Sequence, residues 1–202
     1  MIIQSIQLKN FRSYQGHHEI NVDTSLDSSK PVVLFGGLNG AGKTSILTAV
    51  KLALYGRRSL GRAISQRAYE EFLEQSIHQN ETRQVPADSA GVGICFSYGK
   101  LGAEVSYKIN RSWVRRKKGC EETITVEENG ETIRALTPKE AQGFLSQLVP
   151  VGVSDLFFFD GEKIADLAND ENGAALGFAI KRLLGIDVVD RLRADLRGFL
   201  MT

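Results

Sequence analysis

The sequence predicts an α/β fold, a mixed sheet with an antiparallel part, on three observations. An apolar run, Val32-Val33-Leu34-Phe35, empties into glycines and then into a helical pattern. Alternating, strand-like runs lie on both sides of it, and a second helical pattern opens on a proline. A chain of 202 residues with 42% hydrophobic and 24% charged composition can bury one ordinary core. The formal charge of +1 gives no overall field toward nucleic acid, so any such contact must come from a local patch or a partner. Cys95 and Cys120 are too few and too far apart for a disulfide framework or a metal site, which suits a reducing, cytoplasmic setting. Met1–Arg12 lacks the uninterrupted apolar core of a secretory signal, and no later run approaches membrane-spanning length, so no membrane partner is expected.

Taken in order, Ile2–Leu8 reads as a strand and, after Asn10-Phe11-Arg12-Ser13, a second alternating run ends near Val22, giving an antiparallel pair. Thr24–Lys30 is a polar loop. Val32–Phe35 is continuous apolar sequence, as in a strand buried on both faces. The helix that follows keeps Ile46, Leu47, Val50, Leu54 and Tyr55 to one side, and Gly56 stops it. Arg57–Asp88 is polar, with one helix around Tyr69–Ile77. Strand signals return at Val92–Tyr98, Ala103–Trp113 and Thr123–Val126, with an Asn-Gly hairpin turn at Asn129-Gly130. Thr137-Pro138-Lys139-Glu140 combines a capping hydroxyl, proline at the first helical position and a glutamate three residues after the cap. The helix it opens should bury Ala141, Phe144, Leu145 and Leu148. A further apolar strand is expected at Leu156–Phe159. From Ala174 the tail is helical, with Val189, Leu192, Leu196 and Phe199 spaced as a coiled-coil seam, a pattern that a surface helix on its own domain would share.

Gly37-Leu38-Asn39-Gly40-Ala41-Gly42-Lys43-Thr44 spells a phosphate-binding loop, the Walker A pattern of P-loop NTPases. Glycines at 37, 40 and 42 permit backbone conformations that turn successive N–H groups, those of Asn39 and Ala41 among them, toward phosphate oxygens. The helix starting near Lys43 adds its positive end, and the Lys43 ammonium can lie between the β- and γ-phosphates of ATP as the one catalytic side chain of the loop. Thr44, or its neighbour Ser45, offers a hydroxyl to Mg2+. A glycine-rich turn without nucleotide is the plain alternative. The apolar run before the loop and the helix after it favour the phosphate-binding reading.

Three stretches together resemble the N-terminal lobe of the SMC-like, ABC-type ATPases, the group that includes the SbcC and RecF families. They are Leu8-Lys9-Asn10-Phe11-Arg12-Ser13-Tyr14, the phosphate loop, and Phe157-Phe158-Phe159-Asp160-Gly161-Glu162-Lys163-Ile164. Within that group the third stretch resembles the DndD family, ATPases of bacterial DNA sulfur modification (phosphorothioation). The resemblance implies an ATP-binding lobe over residues 1–185 and the start of a coiled-coil helix over 186–202. It implies that Arg12 reaches the nucleotide phosphates, where a surface cation is the alternative. The Phe159–Glu162 region falls where the family carries its Q-loop. The usual glutamine is absent, and Asp160 or Glu162 could take its place as a magnesium partner. Leu156–Asp160 also fits a Walker B strand, which would make Asp160 the direct metal ligand, and a buried strand ending in an acidic turn fits as well. No signature motif of the LSGGQ kind is present, and no second apolar strand ends in an aspartate followed by a glutamate. The resemblance places both in the protein's own C-terminal lobe, beyond a coiled coil, with ATP closing a homodimer of heads. It also implies DNA and other proteins of a DNA modification or repair complex as partners, and an ATPase incomplete within these 202 residues. The rival functions are an SbcC-like break-repair ATPase, a small-molecule P-loop kinase whose lid would lie within Arg57–Asp88, and a nucleotide-binding scaffold that does not hydrolyse ATP. Arg115-Arg116-Lys117-Lys118, beside Trp113 and Arg111, is a candidate DNA-backbone contact, with a charged hairpin tip as the commoner explanation.

Overall fold

The computed structural model describes residues 1–25, 29, 31–61, 63–79, 87–100, 102–117, 119–133, 137–150 and 158. Backbone contacts divide the chain into two units, Met1–Gln147 and Leu148–Thr202, and the account that follows concerns the first. The expected strand at Leu156–Phe159 (save Phe158), the Asp160 and Glu162 sites, the domain boundary at 185 and the coiled-coil seam lie outside the described residues.

Among the described residues six strands form one sheet: β1 (Ile2–Phe11), β2 (Tyr14–Asn21), β3 (Ser89–Lys100), β4 (Ala103–Arg115), β5 (Cys120–Glu128) and β6 (Glu131–Thr132). Their spatial order is β2-β1-β3-β4-β5-β6. Every pairing among them is antiparallel. The N-terminal hairpin and the β-rich segment, which read as separate pieces in the sequence, are one sheet because β1 pairs with β3, Ile6 opposite Ile94 and Leu8 opposite Val92. Alternation then sets the faces. Ile6, Leu8, Val92, Ile94, Phe96, Tyr107, Ile109, Trp113 and Val126 are buried, and their polar neighbours in sequence turn the other way. The β5–β6 turn holds Asn129 and Gly130, both at positive φ (52° and 83°), as a two-residue hairpin of this twist requires.

Among the described residues there are also three α-helices, α1 (Lys43–Tyr55), α2 (Gln66–Gln75) and α3 (Pro138–Leu148), and a 3-10 turn, Gly56–Leu60. α1 packs on β1, β3 and β4. It is rich in Ala and Leu, which favour helix, and it ends where Gly56 takes φ 51° and returns its N–H to the Leu52 carbonyl. Ser65 caps α2 by accepting from the Ala68 N–H, and Tyr69 and Leu73 face inward. The capping box of α3 forms as expected: the Thr137 N–H donates to Glu140 Oε2 at 2.8 Å and the Glu140 N–H to Thr137 Oγ1 at 3.4 Å.

One expectation fails. Val32–Phe35 forms no strand, and Val32 and Leu34 are 79% and 89% exposed. A strand buried on both faces needs ladder partners at its edges and a layer above and below. None of the described strands pairs with this run, so its apolarity marks a surface that the described residues leave uncovered. For the same reason the parallel component of the expected mixed sheet is not found among them.

Candidate nucleotide site

The phosphate loop runs directly into α1. Gly40 and Gly42 sit at φ 83° and 96°, left-handed conformations that glycine takes without strain. Gly42 is also the N-cap of α1 and, lacking a side chain, makes no capping bond. The first N–H groups of α1, those of Lys43, Thr44 and Ser45, therefore have neither an intrahelical acceptor nor a side-chain cap. No acidic residue occupies the first turn. The helix presents bare donors and an unneutralised positive dipole end, which together make an anion site. The Lys43 ammonium donates to the carbonyls of Gly37 (2.7 Å) and Leu38 (2.9 Å), which pins it across the mouth of the loop. Two of its three donors are thus taken and one remains for a ligand. Thr44 is exposed, whereas Ser45 is buried.

The β1–β2 turn lies against this loop. Tyr14 donates its hydroxyl to the Gly42 carbonyl at 3.3 Å. A Cβ added at Gly42 would stand 2.5 Å from Ser13 Oγ and 2.8 Å from Tyr14 Cε2, so the glycine makes the close approach possible. In the same turn Arg12 takes φ 51°, and its guanidinium stacks over the rings of Phe11 (5.6 Å) and Phe72 (5.4 Å). Its Nη1 donates to Thr48 Oγ1 at 3.4 Å, and the Thr48 hydroxyl donates to the Thr44 carbonyl. Arg12 is thereby held one helical turn from Thr44, and its burial lowers the guanidinium pKa from its ordinary value.

Sequence reasoning did not find what holds that turn. Ser76–His78, just beyond α2, meets it through an isolated antiparallel bridge. The Arg12 N–H donates to the Ser76 carbonyl, the His78 N–H donates to the Asn10 carbonyl, and Phe11 bridges to Ile77. His78 Nδ1 also lies 2.6 Å from the Arg12 carbonyl.

The basic run reads differently in three dimensions. Arg115 pairs with Glu74 and Arg116 with Glu121. Trp113 is fully buried and donates its indole N–H to the Leu73 carbonyl, so it has no face to offer a base. Arg111 points into the core, 4% exposed, bonded to Glu122 (2.8 Å) and Gln142 (2.7 Å). What remains at Arg115–Lys117 is a charged hairpin tip with two of its three cations ion-paired. Tyr69 donates its hydroxyl to the same Glu122, and burial above all raises the pKa of that phenol beyond its ordinary range.

A family model described as AAA_23, AAA domain, matches residues 5–190. Arcadin-4 of Pyrobaculum calidifontis is 27% identical over 168 residues, covering 78% of this chain and 20% of that protein. The DNA double-strand break repair Rad50 ATPase of Thermoplasma acidophilum is 28% identical over 157 residues, covering 78% of this chain and 14% of the relative. Its namesake from Archaeoglobus fulgidus is 38% identical over 56 residues, covering 28% of this chain and 6% of the relative. Among solved structures, the SMC head domain from Thermotoga maritima aligns with a TM-score of 0.37 and 22% identity, covering 66% of this chain and 39% of that one. The chain spans at most a fifth of the length of the curated relatives it matches.

Proposed function

The chain belongs to the AAA_23 family of AAA domains, and on that premise we propose that residues 37–45 bind ATP with Mg2+ in one lobe of an SMC- and Rad50-like ATPase that acts on DNA. The observation that carries this reading is the meeting of two motifs far apart in sequence. Residues 11–14 close over Gly42, and Arg12 reaches the first turns of α1, around the helix end where bare N–H groups await an anion.

In this reading the amides of Gly37 to Thr44 and the Lys43 ammonium hold the β- and γ-phosphates, and Arg12 adds a second cation. Thr44, exposed where Ser45 is buried, is the hydroxyl for magnesium, with Asp160 as the acidic partner. ATP supplies a phosphoryl group whose developing charge these fixed donors stabilise. The residues present fit that load. Gly42 stands where a Cβ would collide with the β1–β2 turn, no carboxylate competes in the first turn of α1, and a lysine donor is to spare.

The lobe, residues 1–185, is completed by a C-terminal lobe of the same protein, reached through a coiled coil that begins at 186–202. Exposed Val32, Leu34 and Leu38 beside the phosphate loop support such a cover. ATP then closes two such heads, and hydrolysis opens them. The Phe157–Ile164 stretch supports a DndD-like role in DNA phosphorothioate modification or restriction. The two Rad50 relatives favour the second reading, a break-repair ATPase. A kinase lid is disfavoured, because the described part of Arg57–Asp88 holds α2 with Tyr69 and Leu73 buried. Among the described residues no helix is long and apolar enough to cross a membrane.

The test is calorimetric titration of the 202-residue chain with MgATP, unmodified and as Lys43→Ala. Losing one charge-assisted bond should weaken binding by about tenfold to a hundredfold. Adding the C-terminal lobe should bring turnover that neither part has alone. Unchanged affinity in Lys43→Ala would sink the assignment.

A further inference from the structure

A cavity of about 540 Å³ lies at the other end of α1, between the 3-10 turn Gly56–Leu60, α2, β4, β5 and the start of α3. At 1.5 Å per residue the 13 residues of α1 put it about 20 Å from the phosphate loop. Four cations line it, Arg57, Arg58, Arg111 and Lys139, against one carboxylate, Glu122. That carboxylate is already bonded to Arg111 and Tyr69. Among the described residues the side chains of Arg57, Arg58 and Lys139 have no ion-pair or hydrogen-bond partner, and the Nε of buried Arg111 has no acceptor.

The helix dipole accounts for part of this clustering and not the rest. Arg57 and Arg58 follow the C-terminal end of α1, where positive charge is favoured. Lys139, however, is in the first turn of α3, where the dipole opposes a cation, and the Glu140 carboxylate of the same turn is taken up by Thr137. Two elements, the 3-10 turn and α3, therefore bring unpaired side-chain cations to one recess, and β4 adds the buried Arg111 with its open Nε. Gly143 points the same way. It lies inside α3, where glycine weakens a helix, and it has no left-handed φ to justify it. A Cβ there would meet nothing within 4 Å, so no packing contact demands glycine either. What the missing side chain does is leave the cavity clear.

We propose that this cavity binds a small organic phosphate of mononucleotide size, at a site separate from the phosphate loop. The volume is that of a small-molecule pocket. The cations at Arg57, Arg58 and Lys139 match a phosphate dianion, and Ile124 and Pro138 supply an apolar wall for the rest of the ligand. A recess takes one compact anion, whereas a duplex needs a ridge or groove of charge extending along its backbone.

The experiment titrates AMP, as the probe, into the 202-residue chain by calorimetry. A Lys43→Ala background removes the phosphate loop from the comparison. AMP should bind in that background with affinity within about twofold of the unmodified chain. Binding should weaken by about tenfold or more on plugging the recess with Gly143→Trp, and likewise in Arg57→Ala/Arg58→Ala. Gly143→Ala serves as the folding control: it should melt no lower than the parent and keep AMP. Four results would each overturn the proposal: no AMP binding at millimolar concentration, binding that vanishes with Lys43→Ala, binding unaffected by Gly143→Trp, or an arginine pair whose loss weakens duplex DNA binding and leaves AMP untouched.

Discussion

Replacing Gly42 by alanine should cost the protein far more than the same change two residues earlier, and the difference can be worked out atom by atom. Gly42 holds φ 96° and ψ 11°, a conformation that costs an L-residue about 1–2 kcal/mol. Its new methyl would also stand 2.5 Å from Ser13 Oγ and 2.8 Å from Tyr14 Cε2, so the β1–β2 turn must move away or the helix start must give. Overpacking of that kind costs about 1–3 kcal/mol, for a total of about 2–5 kcal/mol. Gly40→Ala carries only the first part, about 1–2 kcal/mol, because at φ 83° nothing lies within 4 Å of its Cβ. Urea unfolding should show the two midpoints falling by unequal amounts at constant slope. Ser13→Ala, which deletes the nearest atom, should restore part of the loss in Gly42→Ala and none in Gly40→Ala. Equal penalties at the two glycines, with no rescue from Ser13→Ala, would mean that the turn does not press on the phosphate loop.

Two further outcomes concern side chains that meet or cap α3. Arg111→Leu strands Glu122 and Gln142 around a buried site and should destabilise by about 3–5 kcal/mol; Arg111→Lys should not rescue it, because one ammonium cannot replace a fork that bonds both partners, and denaturant midpoints of the two variants check this. At α3, hydrogen bonds from Thr137 hold the Glu140 carboxyl below its ordinary pKa. Its folded value lies below its unfolded one, so its support for α3 is present above the ordinary carboxylate range and is lost as pH falls through the depressed value. An NMR titration of Glu140 should show that depression shrink in Thr137→Ala.

What could be read from the chain was what is local. The loop and α1 are written in consecutive residues, α3 in a four-residue capping box, β3 to β5 in alternation, and the β5–β6 hairpin in its Asn-Gly turn. Pairing partners are not local. Alternation says that Ile6 and Ile94 face a core, and nothing in either strand says that they face it side by side. Val32–Phe35 misled because apolar content reports the need for cover and not its source. Arg111 misled differently, since proximity in sequence placed it with the basic run. The signal that could have corrected this was its phase: Tyr107, Ile109, 111 and Trp113 are alternate positions of β4, so the arginine had to point inward with them. A charge on the apolar face of a strand is the kind of local conflict that marks a network or a site.

The β1–β2 turn contains the same kind of conflict. Asn10 and Arg12 hold φ 45° and 51°. Asparagine tolerates this; arginine pays about 1–2 kcal/mol for it. The conformation persists because the Ser76–His78 segment fixes both sides of the turn through three hydrogen bonds. Strain at Arg12 is thus maintained where a glycine would have removed it, which is in keeping with the role proposed for its guanidinium beside the phosphate loop. Comparing Arg12→Gly with Arg12→Ala separates the two contributions. Both lose the guanidinium, its stacking on Phe11 and Phe72 and its bond to Thr48. Only glycine also loses the strain, against an unfolded-state entropy cost of about 0.5–1 kcal/mol relative to alanine. Arg12→Gly should therefore unfold at higher denaturant than Arg12→Ala, by about 1 kcal/mol, reversing the usual order of the two residues. MgATP affinity should fall alike in both. An alanine variant as stable as the glycine variant would show the turn to be unstrained, and undiminished affinity in both would return Arg12 to the role of a surface cation stacked on two rings.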